Sequence, residues 1–448
     1  MKIKTITKRY LYYILRSPFF WISIVNIIYG IYFYPKFDAI ALFDSNSYES
    51  AGKSLLNGHL DVSRTPVYPV FLNFCRAMVG DANLTSYAIT VQIIVFYIGT
   101  YFFYKLVSFF IKNKCFLICA GILYGCSTII INYNYMELTE SFTITGLVIF
   151  TFLIILYLKK QVKVALVIAA IYPFVFTMLR PSEIYLYGVI GILLLVLYAK
   201  ERNFKKLRIP FFCYVISIAL LFGYMALNHV QNHYFGLSDV SVVNRMFDVT
   251  ISGVYEDNPD IEIVNSINSG IAANNGKIPS ALETYRQITA QPGGLARIIR
   301  FNKKSIHLHS NQYIIYLWEK IEKMGFTPML YKLSKDAPNL KEGADRNTVF
   351  LGDYFTFPIN IIYWLIFLEI ISFLSLLFFK KILNRESLMI ILIIGGQLTL
   401  NIIAGPAEFH RLNAPLYPFV ILLLLKFASD SYTVMSFNSQ REISKQES

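Results

Sequence analysis

Long apolar runs constrain this chain more than any other feature of its sequence. Each is about 17 to 23 residues long and nearly free of charge, the length that a helix rising about 1.5 Å per residue needs to cross roughly 30 Å of hydrocarbon. Because lipid offers the backbone no hydrogen-bond partners, such runs must be helical. Composition agrees, since 55% of the residues are hydrophobic and 15% are charged, against roughly a quarter charged in soluble proteins. The sequence therefore predicts an all-α polytopic membrane protein.

The runs predict about ten transmembrane helices. We expect them at 18–35, 83–104, 115–132, 141–158, 163–179, 183–199, 209–228, 357–379, 387–404 and 412–428. These spans divide the chain into an N-terminal transmembrane module (1–228), an extracytoplasmic loop or subdomain (229–356), and C-terminal transmembrane helices with a cytoplasmic tail (357–448).

Lysine and arginine are concentrated in every second loop between the predicted spans, beginning with the basic segment before the first span. Basic residues favour the cytoplasmic side of a membrane, so the alternation predicts that both termini are cytoplasmic. The formal net charge of +13 is explained by this topology and by contact with anionic membrane lipid, and nucleic acid is not an expected partner.

The first outward-facing loop, 37–82, is expected to contain two short helices at the membrane surface. Asp44 can cap a helix that runs to Asn57, with Gly58 in the left-handed conformation that ends it. Pro66 then opens an interfacial helix that Gly80 closes. This loop is therefore the first place to look for chemistry.

The segment 229–356 is about 128 residues long, which is too long for a simple connector. Its middle, 265–276, is rich in asparagine and glycine and is expected to be flexible, whereas 295–318 is expected to form an amphipathic helix. The remaining outward-facing segments are 133–141 and 405–411.

Several short motifs follow one another from about residue 15 to residue 428. Asp44 comes just after the first span, Tyr48 follows, and a Leu-x-x-Gly turn (55–58) precedes an Arg-x-Pro-x-Tyr-Pro run (64–69). Later come Glu137 and Glu140, an Arg-Pro pair at 180–181, and a His-Arg pair at 410–411 before the last span. In this order they resemble the GT-C superfamily of membrane glycosyltransferases, especially its branch of protein mannosyltransferases and bacterial aminoarabinose transferases.

The resemblance implies an inverting transfer of sugar from a polyprenyl-phosphate donor to a glycan, lipid or protein acceptor, on the outer face of a prokaryotic membrane. The lipid-linked sugar is the donor substrate, and the sequence predicts no particular cofactor. The resemblance assigns the residues to three roles. The catalytic carboxylate is Asp44, with Glu140 and Glu137 as further candidates; donor-phosphate ligands are Arg180, Arg411 and Arg64; and Tyr48, Tyr68 and His410 line the substrate site.

This chain departs from the family pattern in two respects. The branch usually shows an acidic pair in the first loop, whereas here Asp44 is followed by Ser45. The chain also lacks the large soluble C-terminal domain of some relatives, so segment 229–356 is a candidate for acceptor contacts.

Each assignment has a simpler alternative. Asp44 can act only as a helix cap. Glu137 and Glu140 can solvate a loop, and Arg180 and Arg411 can be snorkelling residues at span ends.

Similar alternatives apply to the other candidates. Arg64 can contact lipid headgroups, and Tyr48 and Tyr68 can be interfacial aromatics. His229 and His233 have the spacing of a zinc pair, but no third ligand accompanies them, so no metal site is predicted.

Two other functions remain open at this stage. A surface-polysaccharide polymerase or ligase also has about ten or more spans and one large external loop, and it predicts functional arginine and histidine in that loop. A transporter or flippase predicts charged residues near the middle of the bilayer and broken helices in matched halves.

Overall fold

A computed structural model describes residues 15–33, 41, 43–201, 204–273, 280–326, 385–404 and 409–446. Within these ranges the chain is helical and contains no β-strand, which confirms the all-α prediction. The predicted span 357–379 lies outside the described residues.

The first ten helices include the two within segment 37–82 and most of the predicted spans. They are α1 (Pro18–Phe33), α2 (Phe43–Leu56), α3 (Val67–Val79), α4 (Leu84–Ser108), α5 (Lys114–Gly125), α6 (Thr128–Asn134), α7 (Glu140–Lys160), α8 (Lys163–Leu179), α9 (Tyr185–Glu201) and α10 (Phe204–Asn232). The later helices are α11 (Val240–Ile251), α12 (Ile261–Ala273), α13 (Ser280–Thr289), α14 (Gly294–Leu308), α15 (Ser310–Phe326), α16 (Arg385–Ala404), α17 (Phe409–Asn413) and α18 (Tyr417–Gln446).

Five helical stretches of the described chain are long and apolar enough to cross a membrane. They are Asp81–Ser108, Glu140–Lys160, Pro181–Lys200, Phe204–Asn232 and Arg411–Asp430, and each coincides with a predicted span. The spans predicted at 18–35, 163–179 and 387–404 also form helices, but shorter ones. The described chain therefore has the long apolar helices of a membrane-embedded protein.

The span predicted at 115–132 is wrong as a single helix, because the chain breaks between α5 and α6. Ser127 is extended (φ −61°, ψ 117°), and its hydroxyl accepts a hydrogen bond from the Ile130 N–H, as expected of an N-cap. The run is apolar on both sides of Ser127, so hydropathy alone does not reveal the break. The short helix α6 then leads the chain to Glu140.

Helix α7 lies at the centre of the bundle and packs against α4, α8 and α16. A Cβ at Gly146 would lie 1.6 Å from the Phe176 ring, so this glycine lets α8 approach closely. At the C-terminal end of α7, Lys159 Nζ lies 3.1 Å from Glu386 Oε1 at the start of α16. The N-terminus of α7 lies at the opposite end of the bundle.

The segment 37–82 forms the two predicted helices, α2 and α3. Gly58 (φ 77°) and Gly80 (φ 75°) both adopt the positive φ that favours glycine. The prediction that Asp44 caps α2 is wrong, since α2 begins at Phe43 and Asp44 lies in its first turn. Its carboxylate is free to bind other partners because it does not cap the helix.

Helices α11 to α15 enclose a small hydrophobic core of their own, which includes Met246, Ile263 and Phe301. The stretch 265–276 was expected to be flexible, but its residues 265–273 belong to α12, where Ile267 is fully buried and Asn268 Oδ1 accepts a 2.8 Å hydrogen bond from the Tyr255 hydroxyl. Residues 274–276 lie outside the described ranges. The helix predicted at 295–318 is divided between α14 and α15.

Candidate functional site

Arg411 connects two carboxylates that are far apart in the sequence. Its Nη1 lies 2.7 Å from Asp44 Oδ2, and its Nε donates a hydrogen bond to Glu140 Oε1. Arg411 belongs to α17, Asp44 to α2 and Glu140 to the first turn of α7. Three motifs that the sequence separates therefore meet at one end of the helical bundle.

Arg64 holds the other side of Asp44. Its Nη2 donates a 2.7 Å hydrogen bond to Asp44 Oδ1 and its Nε donates a 2.7 Å bond to the Ser47 hydroxyl. The guanidinium lies over the Tyr48 ring, 4.3 Å from the centroid, in the arrangement of a cation–π contact. Each oxygen of Asp44 thus faces a guanidinium.

The charge of Asp44 is fixed by these neighbours. Partial burial favours the neutral acid, but the guanidiniums of Arg411 and Arg64 outweigh it, so the pKa of Asp44 lies below its usual value. The carboxylate is therefore ionised at neutral pH. An ionised oxygen is what a general base requires.

The segment that bears Arg64 is fastened to the end of α10 and the chain after it. Gln231 Oε1 accepts a 2.7 Å hydrogen bond from the Leu60 N–H, and Asn232 Nδ2 donates to the Leu60 carbonyl at 3.1 Å. The Ser238 hydroxyl donates to the Ser63 carbonyl at 2.6 Å. We call residues 58–65 the tethered loop.

Arg180 lies deeper in the cluster than Arg411. Its Nη2 is 3.8 Å from Glu140 Oε1, and the two side chains are 8% and 0% exposed. Asp44 and Arg411 are 26% and 20% exposed. A ligand entering from the surface therefore meets Asp44 and Arg411 before it meets Arg180 or Glu140.

Glu137 does not join this cluster. Its Oε2 accepts a 2.8 Å hydrogen bond from the Thr85 hydroxyl, and its backbone carbonyl accepts one from Ser45 Oγ at 2.7 Å. Glu137 and Glu140 are both fully buried, which excludes the loop-solvation alternative for them. Glu137 instead joins α2 and α4 to the turn before α7.

The buried carboxyl of Glu137 predicts a pH-dependent stability. Burial raises its pKa from 4.5 to about 7, so the folded state loses stability relative to the unfolded chain as the pH rises from about 4.5 to about 7, by up to about 3 kcal/mol in all. Glu137→Gln removes this loss. We expect the variant to melt at a higher temperature than the wild type at pH 8 and at nearly the same temperature at pH 5, both in detergent. An equal difference at the two pH values would contradict the assignment.

The two predicted tyrosines pack against each other near Asp44. Tyr48 and Tyr68 meet edge to face, with ring centroids 5.0 Å apart. Tyr68 is fully buried, and its hydroxyl donates a 2.8 Å bond to Gln92 Oε1. Tyr48 accepts a bond from Arg64 Nη1 at 3.3 Å. Tyr48 therefore touches the cluster directly, while Tyr68 supports it from behind, and neither is an interfacial aromatic.

His410 lies on α17 beside Arg411, but its side chain is outside what the structure describes.

Sequence reasoning missed the buried polar residues Gln92, Glu183 and Gln397. The sequence did contain a signal for them, because a polar residue within an apolar run costs free energy to bury unless it serves structure or function. Among the described residues, no group of three or more His, Cys, Asp or Glu is placed to hold a metal ion.

No protein-family model, no curated protein and no solved structure matches this chain. Its function is therefore inferred from the chemistry of the site itself.

Proposed function

We propose that this chain is an inverting glycosyltransferase of the GT-C type, which moves a sugar from a polyprenyl-phosphate donor to a glycan, lipid or protein acceptor. One observation carries the proposal. Asp44, a partly exposed and ionised carboxylate, lies between the guanidiniums of Arg64 and Arg411 at one end of a bundle of apolar helices. A base and phosphate-binding cations are thus side by side, where a lipid-linked substrate can reach them.

The reaction needs a base for the acceptor and cations for the phosphate that leaves. The Asp44 carboxylate accepts the proton of an acceptor O–H or N–H, and the acceptor atom bonds to the anomeric carbon. The bond from that carbon to the phosphate oxygen breaks, and polyprenyl phosphate leaves with the bonding electrons. Attack opposite the leaving group inverts the anomeric centre. A positioned base typically contributes about 10²- to 10⁴-fold.

Arg411 and Arg64 are suited to the departing phosphate. Each presents a planar fork of donors that matches phosphate oxygens, and both are partly exposed. A phosphate that binds Arg411 competes with Asp44 for the same guanidinium, which weakens one of the two ion pairs of Asp44. Donor binding therefore makes Asp44 a stronger base.

The proposed topology has ten crossings, both termini in the cytoplasm of a prokaryotic cell, and the site on the extracytoplasmic face. Two features support it. The ion pairs join the start of α7, the end of α8 and the approach to α18, as expected if these helices meet at one membrane surface. Lys159 and Lys160 lie at the far end of α7, in agreement with the positive-inside rule.

The alternatives make different demands on the chain. A polymerase or ligase uses arginine and histidine of the large loop, but Arg297 lies in ion pairs with Asp260 and Glu262, and His309 lies 3.1 Å from Asp257. These contacts lie within the loop itself. A transporter or flippase needs charged groups at mid-bilayer depth, whereas the cluster around Arg411 lies at helix ends. The glycosyltransferase is therefore our preferred function.

Titration of the purified protein in detergent tests the proposal. We expect polyprenyl phosphate to bind at least about ten-fold more tightly than polyprenol, since only the phosphate engages the guanidiniums. Adding a lipid-linked sugar with membrane glycan or lipid extract should release polyprenyl phosphate and a glycosylated product, detected by mass spectrometry. Equal affinity for the two lipids would contradict the proposal.

Arg411→Ala should weaken polyprenyl-phosphate binding about ten-fold or more, because the most accessible bidentate donor is lost. Arg411→Lys should restore binding only partly, since a point charge replaces the planar fork. Arg180→Ala, at a deeper position, should weaken binding less. The matched control is Arg76→Ala, whose guanidinium pairs with Glu49 and Asp81 outside the cluster. Binding unchanged in both the Arg411 and Arg180 variants would support the snorkelling alternative.

The topology predicts which positions face outward. In a background without native cysteines, a membrane-impermeant thiol reagent applied to intact cells should label a cysteine at Gly270 and spare cysteines at Lys4, Val162 and Gln440. Permeabilised cells should show labelling at all four positions. Labelling of Lys4→Cys or Gln440→Cys from outside would overturn the orientation.

A further inference from the structure

Buried polar atoms without partners gather at the turn that follows α8. Arg180 is 7% exposed and Glu183 is fully buried. In the described structure Arg180 Nη1, Glu183 Oε2 and the Tyr185 hydroxyl make no hydrogen bond of ordinary geometry. Native proteins satisfy most buried polar groups, because leaving one unpaired is costly. Three such atoms on one short turn therefore point to a ligand.

Arg180, Glu183 and Tyr185, which we call the polar wall, adjoin the cluster of Asp44, Glu140 and Arg411 through Arg180. The 3₁₀ turn Pro181–Ile184 joins α8 to α9 and carries Glu183 between Arg180 and Tyr185. The Arg180 guanidinium lies near Glu140 on one side and interacts electrostatically with Glu183 on the other. The Tyr185 hydroxyl and the Glu183 carboxylate interact through charge and a weak hydrogen bond, which does not have the distance and angles of an ordinary one.

Helix α16 packs against the polar wall and contributes a fourth atom without a hydrogen bond. A Cβ at Gly396 would lie 2.4 Å from Tyr185 Cδ2, so α16 packs directly on the ring and fixes its position. The next residue, Gln397, is fully buried and donates to the carbonyl of Leu412, the neighbour of Arg411, at 3.4 Å. Its Oε1 has no hydrogen-bond partner among the described residues.

The four atoms select a particular kind of ligand. They comprise a guanidinium donor, two acceptor oxygens and a hydroxyl that can both donate and accept. Acceptor oxygens disfavour a second phosphate, and buried polar atoms disfavour a lipid tail. A neutral ring with several hydroxyls satisfies both kinds of atom, because each hydroxyl donates one hydrogen bond and accepts others.

We propose that Arg180, Glu183, Tyr185 and Gln397 form the subsite that holds the ring hydroxyls of the transferred sugar. This inference rests on the proposed glycosyltransferase function and names the part of the site that recognises the sugar. The subsite gives selectivity for a sugar-bearing lipid over the same lipid phosphate without sugar.

The test compares Tyr185→Phe with Tyr187→Phe. Tyr185→Phe removes a hydroxyl whose contact with Glu183 lacks ordinary hydrogen-bond geometry, so the ligand-free protein should melt close to the wild-type temperature or above. The Tyr187 hydroxyl donates to the Ser217 carbonyl at 3.0 Å and accepts from Ser217 Oγ, so Tyr187→Phe should melt lower. Melting in detergent therefore separates an unpaired hydroxyl from a structural one.

Binding gives the second measurement, with hexoses and pentoses on one polyprenyl phosphate as probes and no acceptor present. The wild type should bind at least one sugar-bearing lipid more tightly than polyprenyl phosphate alone. In Tyr185→Phe and in Glu183→Gln this preference should fall about three- to ten-fold, the effect of one hydrogen bond, while affinity for sugar-free polyprenyl phosphate stays unchanged. Tyr187→Phe should keep the preference.

The outcomes separate the two proposals. If the wild type binds polyprenyl phosphate but both subsite variants keep the full preference for sugar, or if no sugar is preferred, the subsite is overturned and the proposed function stands. A lower melting temperature for ligand-free Tyr185→Phe overturns the subsite as well, since the hydroxyl is then already bonded. If the wild type does not distinguish polyprenyl phosphate from polyprenol, both proposals fail.

Discussion

Asp44→Asn should lower the rate of sugar transfer by at least about 10²-fold, because an amide cannot accept the proton of the acceptor. The variant should bind polyprenyl phosphate at least as tightly as the wild type, since the competing carboxylate is gone and Arg64 and Arg411 keep their charge. Turnover and lipid affinity thus move in different directions. They are measured on the same purified protein, beside its melting temperature in detergent.

This combination separates a base from a purely structural carboxylate. If Asp44 only holds the two arginines in place, its loss should disorder them and weaken lipid binding together with turnover. Asp81→Asn is the control, since Asp81 also accepts a hydrogen bond from an arginine, Arg76, but is 72% exposed and outside the cluster. Full turnover in a normally melting Asp44→Asn protein would make Asp44 the wrong carboxylate, and Glu140 followed by Glu137 would be tested next.

Glu140→Gln should cause a large loss of stability, on the order of 3 kcal/mol, because it leaves Arg180 and Arg411 without their shared buried counter-charge. The amide keeps nearly the shape of the carboxylate, so the effect reports charge and not packing. Chemical denaturation or melting in detergent at neutral pH measures it. Adding Arg180→Met to Glu140→Gln should recover part of the loss, since the double variant no longer buries an unpaired guanidinium.

Glu137→Gln provides the comparison for this experiment. Glu137 is three residues away and equally buried, but its described contacts are neutral, from Thr85 and Ser45. Its replacement should therefore not destabilise the protein at neutral pH. Similar losses in the two variants would show that the ion pairs of Glu140 are not what stabilises this end of the bundle.

Local sequence signals were sufficient for most of the architecture. The apolar runs predicted the long apolar helices that the structure describes, and the glycines at 58 and 80 marked the ends of α2 and α3. The runs did not predict α11, α12 and α13. The break at Ser127 was missed, because a single cap residue does not change the hydropathy of its surroundings. Because α2 begins at Phe43, Asp44 lies two positions after the cap position that was expected for it.

The candidate site was predicted as a set of residues but not as an arrangement. Motif order drew attention to Asp44, Glu140, Arg180 and Arg411, which the structure brings into contact. Nothing local in the sequence distinguishes Glu140 from Glu137, because the difference depends on which tertiary neighbours each carboxylate meets. Pairing across distant helices depends on how the whole bundle packs.

The tethered loop joins helices α11 to α15 and the Asp44 carboxylate into one mechanical unit. The carbonyls of Leu60 and Ser63 accept hydrogen bonds from Asn232 and Ser238, just before α11 begins. Arg64, near the end of the loop, donates a hydrogen bond to Asp44. A shift of α11 and the helices packed on it must either break these bonds, at a few kcal/mol in all, or carry Arg64 along. Under the proposed function, an acceptor that docks on α11 to α15 can therefore change the distance between Arg64 and Asp44 without touching either residue.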